Sequence, residues 1–197
     1  ELVLELLENT KLKLSESIAS KILIGIVSDT NRFLYGTNDK TFLTVSNLVK
    51  KYNLETDKLY NLVYSKPLSE VRLMGYIASS LKVDKYGFAN IWIDEDIINS
   101  FGADISAASN MINDFNNINE IIVWTFVTYD AKNALYKVNI RSRGPVINEI
   151  AAKYNGGGHK FASGVRNTDK SQIEELLKDL SEACREYLEK DDKNGNN

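Results

Sequence analysis

A single change of hydrophobic periodicity, near Leu81, separates two kinds of structure in this 197-residue chain. Before it, apolar residues recur at three- and four-residue steps, the spacing of one helix face. Ile18, Ile22 and Leu23 set such a stripe over 15–24, with Ser15 placed to cap it. The run from Gly25 to Phe33 then reads as a short apolar element ending in a polar turn. Phe42, Val45, Val49 and Tyr52 predict a helix over 41–52, and further helices are predicted over 57–64 and 69–81. The first of these should stop before Pro67, because the residue preceding a proline disfavours helical geometry.

After Leu81 the pattern shortens. Residues 88–93 read as a strand, and 121–129, rich in Ile, Val, Trp, Phe and Thr, as a second. Tyr136, Val138 and Ile140 alternate with polar residues, so 135–141 is expected to pair antiparallel with it. Helices are predicted after Asp94, after Asp104 (carrying Ile105, Ala108, Met111, Ile112 and Phe115), from Pro145 to Tyr154, and over 168–190. A mainly helical piece ending near Tyr64, then a mixed α/β domain, is the expected organisation.

Scarcity excludes several chemistries. Cys184 is the only cysteine and His159 the only histidine, so there is no intrachain disulfide and no zinc-type ligand spacing. A metal held by this chain would have to be held mostly by carboxylates. No apolar run approaches the ~18 residues of a membrane span, which together with the lone cysteine suggests a reducing, cytoplasmic setting. The chain starts at Glu1 rather than Met and without the basic flank of a signal peptide, as a fragment or a processed chain would.

Charge is distributed unevenly. Residues 131–166 contain seven basic side chains against Glu149 alone, a local charge of +6 in a chain whose total is −3. Such an island in an acidic protein suits an anion site better than a general nucleic-acid coat. It coincides with Asn155-Gly156-Gly157-Gly158-His159-Lys160, followed by Ala162-Ser163-Gly164. One glycine would suffice to end a helix, whereas three bare residues let main-chain N–H groups converge on an anion. Arg141 and Arg143, with planar guanidinium forks, and the start of the Pro145 helix could add to that grip. The plain alternative is a flexible turn with a surface histidine. Asp29, closing an apolar run, is a candidate hard-metal ligand, although Asp-Thr-Asn is also an ordinary turn or cap.

The glycine-histidine run with Phe161-Ala162-Ser163-Gly164, preceded by Arg141-Ser142-Arg143-Gly144-Pro145-Val146-Ile147-Asn148, resembles the substrate-binding DHH-associated domain of the DHH phosphoesterase family. Gly25-Ile26-Val27-Ser28-Asp29-Thr30-Asn31-Arg32-Phe33 resembles the last metal-binding motif of that family's catalytic domain. The likeness extends from about Ser15 to about Leu188 and is greatest to the oligoribonuclease and adenosine-bisphosphate phosphatase (nanoRNase) branch. It implies an α/β fold with residues 1–64 as a helical remnant of the catalytic domain. A connector helix over 65–81, a mixed-sheet DHH-associated domain over 82–190 and a disordered tail over 191–197 would follow.

The resemblance implies a hydrolase that acts on short RNA, on linear dinucleotides such as pApA and on adenosine bisphosphate, with two manganese ions. Asp29 matches a metal ligand. Arg141, Ser142, Asn148, Gly156, Gly157, Gly158 and His159 match the substrate cradle, and Arg143 and Lys160 match it less closely. The family's other metal ligands, including the Asp-His-His motif, have no counterpart, and one histidine rules that motif out. The expectation is a nucleotide-binding remnant, inactive alone, whose exposed apolar surface over 1–64 could draw two copies into a homodimer. The alternative is a non-catalytic nucleic-acid-binding module, like the related domain of alanyl-tRNA synthetases.

Overall fold

A computed structural model describes residues 13–167 and 169–194, together with Val3, Leu6 and Thr10. The chain divides into two compact units, Glu1–Lys66 and Pro67–Asn197. Among the described residues no helix is long and apolar enough to cross a membrane.

In the first unit, α1 (Glu16–Asp29) starts where Ser15 accepts a hydrogen bond from the Ile18 amide. It runs unbroken through Gly25, correcting the separate apolar element expected there. Ala19, Leu23, Ile26 and Val27 continue one buried stripe past the glycine, and burial of that stripe outweighs the local entropy cost. The helix ends at Thr30, whose hydroxyl donates to the Ile26 carbonyl at 2.7 Å and accepts from the Phe33 amide at 3.0 Å. Asn31, Arg32 and Phe33 then all take positive φ, turning the chain sharply.

Next, α2 (Asp39–Tyr52) is closed at its start by a capping box between Asn38 and Thr41. Its buried stripe centres on Thr41 and Leu48, whereas Phe42, expected inside, is exposed. A short α3 (Thr56–Tyr64) completes the unit. The core of this unit is small (Ala19, Leu23, Val27, Leu48, Leu54), and Ile18, Leu34, Phe42, Leu43 and Leu62 remain exposed.

The second unit opens with α4 (Leu68–Ser80), expected as a connector. Its Leu73 and Ile77 are fully buried in the same cluster as Ile91, Trp124 and Phe126, so it forms one wall of the α/β unit. The mixed sheet comprises β1 (Lys82–Val83), β2 (Phe88–Ile93), β3 (Val123–Asp130), β4 (Leu135–Ser142), β5 (Gly157–His159) and β6 (Ala162–Asn167), in the order β1-β2-β3-β4-β6-β5. Strand β2 lies parallel to β3, and the other neighbours are antiparallel. The parallel pair needs a crossover. It is made by α5 (Glu95–Ser100), α6 (Ala107–Met111) and a 3₁₀ turn (Ile112–Phe115).

On one face of the sheet, Phe88, Val123, Val127, Val138, Ile140 and Val165 pack against α7 (Asn148–Lys153) and α8 (Lys170–Asn194). On the other, Ile91, Trp124 and Phe126 are covered by α4, α5, α6 and the 3₁₀ turn, and the Trp124 indole donates to the Ile112 carbonyl at 2.8 Å.

Three further expectations are corrected. The helix placed at Pro145 begins at Asn148, because the Pro145 carbonyl accepts the Ser142 hydroxyl and the Ile147 amide donates to the Lys160 carbonyl. The stretch read as an open nest of glycines contains an edge strand, β5. The last helix runs through Asn194, so residues 191–194 of the expected tail are helical, and residues 195–197 lie outside the described residues.

Candidate functional site

Strand register, and not motif adjacency, assembles the site. Arg141 pairs with Ala162, and Ala162 with His159, so these three lie in one row across β4, β6 and β5. The next row is Asn139, Gly164 and Gly157, and the one beyond it is Lys137 and Arg166. Side chains two apart along a strand share a face. Lys137, Asn139, Arg141, Arg166 and His159 therefore stand on one face, opposite to Val138, Ile140 and Val165.

That face is covered only as far as β4. Asn139 donates to the Ser109 hydroxyl at 3.2 Å, and Arg141 Nε donates to Asn113 Oδ1 at 2.8 Å, marking where the helical cover ends. Beyond lies an open cleft of about 560 Å³, lined by Ser109, Lys137, Asn139, Asn155, Gly157 and Arg166 among others. Arg141 and His159 do not line it and stand one row beyond Asn139 and Gly157, at its margin.

The three glycines differ in what requires them. A Cβ on Gly156 would lie 2.5 Å from both the Gly164 carbonyl oxygen and Val165 Cγ2, and one on Gly158 would lie 2.5 Å from the Ala162 carbonyl oxygen. Gly158 also has φ +139°, a conformation that L side chains rarely adopt. Both are demanded by the close approach of backbone. Gly157 has ordinary φ, and a Cβ there would meet nothing within 4 Å. The fold does not need a glycine at 157; the bare position keeps the cleft floor open.

Electrostatics favour an anion. Arg141 is half-buried, and desolvation draws its pKa down, yet its side chain donates only to neutral oxygens of Asn113 and Ile140, and no carboxylate pairs with it among the described residues. The Arg166 side chain is exposed and has no hydrogen-bond or ion-pair partner among the described residues. Lys137 is bound by Asp130 at 2.6 Å, and that contact, followed by the Asn133 amide, holds the Asp130 carboxyl well below the usual carboxylate range. His159 is exposed at the sheet edge, and its carbonyl accepts the Ser163 hydroxyl at 2.9 Å. Lys160 lies over the Phe161 ring, 5.1 Å from its centre.

Other residues named from sequence are used differently. Ser142 is buried on the Val123 face, donating to the Pro145 carbonyl and accepting from the Gly144 amide. Arg143 is committed to the Ile118 and Ile121 carbonyls, pinning the loop that leads into β3. Asn148, the first residue of α7, has a buried carboxamide oxygen with no hydrogen-bond partner. Among the described residues it alone has such an atom, and it stands on the helix that packs against the face opposite the cleft.

Asp29 belongs to the other unit, exposed at the end of α1 beside an open groove lined by Ile18, Ile22 and Ile26. No group of three His, Cys, Asp or Glu that could hold a metal ion occurs among the described residues. A single exposed carboxylate leaves most coordination positions of a hard cation unfilled, so this donor set does not fit a two-metal centre.

Sequence reasoning missed Lys137, Asn139, Ser109 and Arg166 as site residues. The alternation Lys137-Asn139-Arg141 was visible, but its companion Arg166 depends on β6, where Gly164 weakens the strand signal.

A family model described as "DHHA1 domain" matches residues 86–186. The bifunctional oligoribonuclease and PAP phosphatase NrnA of Bacillus subtilis (strain 168) is 36% identical over 89% of this chain and 55% of its own length. A probable bifunctional oligoribonuclease and PAP phosphatase NrnA of Streptococcus mutans is 32% identical over 91% of the chain and 58% of its own. The chain thus spans little more than half the length of these relatives. Among solved structures, an exopolyphosphatase-related protein from Bacteroides fragilis superposes with a TM-score of 0.74 at 29% identity, covering 88% of this chain and 51% of that one.

Proposed function

The chain belongs to the DHHA1 domain family, and from that premise we propose that it is the nucleotide-gripping part of a phosphoesterase that acts on short oligoribonucleotides, dinucleotides such as pApA, and adenosine bisphosphate. The observation that carries this reading is Gly157: a glycine the fold does not require, on the floor of a cleft bordered by cations. A phosphate held by Arg141 and His159 would stand at the end of that floor, and its charge would offset the cost of burying Arg141, which has no carboxylate partner among the described residues.

Hydrolysis itself is assigned to the longer protein of which this chain would be a part. The relatives' names as oligoribonuclease and phosphatase support a hydrolase parent. Asp29 is proposed as one ligand of its manganese pair, with the remaining ligands outside this chain. The chain alone should bind without cleaving.

Isothermal titration of the 197-residue chain with pApA and adenosine 3′,5′-bisphosphate tests the reading. Wild type should bind both, and Gly157→Val should abolish binding while leaving the urea midpoint near its original value. Binding that survives Gly157→Val would place the ligand elsewhere. A preference for long structured RNA over these ligands would favour a non-catalytic nucleic-acid-binding module instead.

A further inference from the structure

Resting on the proposed nucleotide reading, we propose that Arg166, assisted by Lys137, forms a second phosphate subsite that engages the backbone of an adjoining nucleotide. It thereby makes the cleft selective for oligonucleotides over single nucleotides. The two residues face each other directly across β6 and β4 and line the cleft, on the same face as Gly164 and Gly157. They lie four residues along the strands from the Arg141–His159 row, about 13 Å at the usual rise per residue. That separation exceeds what the two phosphates of one nucleoside bisphosphate span, and a strand extended along the cleft would cover it.

Between the two rows β6 and β5 contribute Gly164 and Gly157, so on these two strands no side chain obstructs the path, and Asn139 on β4 is drawn toward the Ser109 hydroxyl. The two cations also differ in readiness. Arg166 has no partner to give up among the described residues, and its planar fork suits a phosphodiester oxygen pair. Lys137 is held at 2.6 Å by Asp130, which tempers the charge of this subsite.

The test is titration of the full chain with adenosine 3′,5′-bisphosphate, pApA and pApApA. For wild type, affinity should rise with length. In Arg166→Ala, the loss of affinity for pApApA should exceed the loss for the bisphosphate by about tenfold, the scale of one charged hydrogen bond. Arg166→Lys should restore part of the difference. Asp130→Asn, which frees Lys137, should strengthen pApApA binding more than bisphosphate binding. Equal losses on all three ligands in Arg166→Ala, or none, would overturn the subsite while leaving the nucleotide reading intact. Failure of wild type to bind any of the three would overturn the nucleotide reading and the subsite with it.

Discussion

On one face of the six-stranded sheet, β2 and β3 present Ala89, Ile91, Trp124 and Phe126 to helices that bury them, while β4, β6 and β5 present Lys137, Asn139, Arg141, Arg166 and His159 at and beyond the edge of that cover. The backbone scaffold is continuous across both halves, and the side chains divide the labour. The covered half supplies stability by removing large apolar groups from water. The bare half contributes less of this and retains Arg141 and Arg166, which lack carboxylate partners among the described residues, together with a glycine that packing does not demand. Residues kept against the interest of stability are where function is concentrated.

Substitutions can break or sharpen this contrast. The largest effect should come from Trp124→Ala, which empties a buried site and leaves the Ile112 carbonyl without its indole donor. Unfolding in urea should show a loss of about 3–5 kcal/mol, and a loss below about 1 kcal/mol would mean that the covered half is not the core. On the bare half, His159→Ala should leave the urea midpoint nearly unchanged yet reduce affinity for pApA by about 1.5–3 kcal/mol, the value of a hydrogen bond to a charged group. Calorimetric titration measures it, and unaltered affinity would remove His159 from the site.

The glycines sharpen the contrast within one strand. Gly158→Ala should destabilise by about 1–3 kcal/mol, since it adds a Cβ against the Ala162 carbonyl in a backbone conformation suited to glycine. Gly157→Ala should change stability by no more than about 0.5–1 kcal/mol, with either sign, and weaken nucleotide binding. Comparable destabilisation by both would show that Gly157 is structural.

The smallest effect concerns the sheet's other face, against which α7 and α8 pack. Burial, then the charge of Asp84, pushes the Cys184 thiol up from 9.0 to about 12. A raised folded-state value favours the protonated form, so its contribution is complete below pH 9.0 and is lost as pH rises from there toward about 12. Urea midpoints at pH 8 and 10 under reducing conditions should therefore differ less in Cys184→Ala than in wild type. The exposed bare face offers no thiol of this kind among the described residues.

How much of this was legible in the sequence depended on how local the determinant was. Strand β2 was read with its observed bounds, and the β3–β4 hairpin was evident because alternation and β-branched content are properties of a few consecutive residues. The local pattern breaks at Gly25, whereas α1 continues past it, because its continuation is decided by burial of Ile26 and Val27 in tertiary contacts. The glycine-histidine run drew attention as a loop, yet its backbone is held by pairing with a strand that itself contains Gly164.

Within the site, adjacency in sequence misled. Ser142 and Arg143 neighbour Arg141, but pleating turns Ser142 to the opposite face, and Arg143 is taken up by loop carbonyls. Lys137 and Arg166 are 29 positions apart and meet only through register. A cleft built across strands is a long-range property, and a single sequence carries its ingredients without their arrangement.

The most direct test of the account is a ¹⁵N-resolved titration of the chain with pApA. Amide shifts should change first and most at Asn139, Gly157, His159, Gly164 and Arg166, which lie along β4, β5 and β6. Shifts confined to the α7–α8 face or to residues 13–64, or none at all, would contradict it.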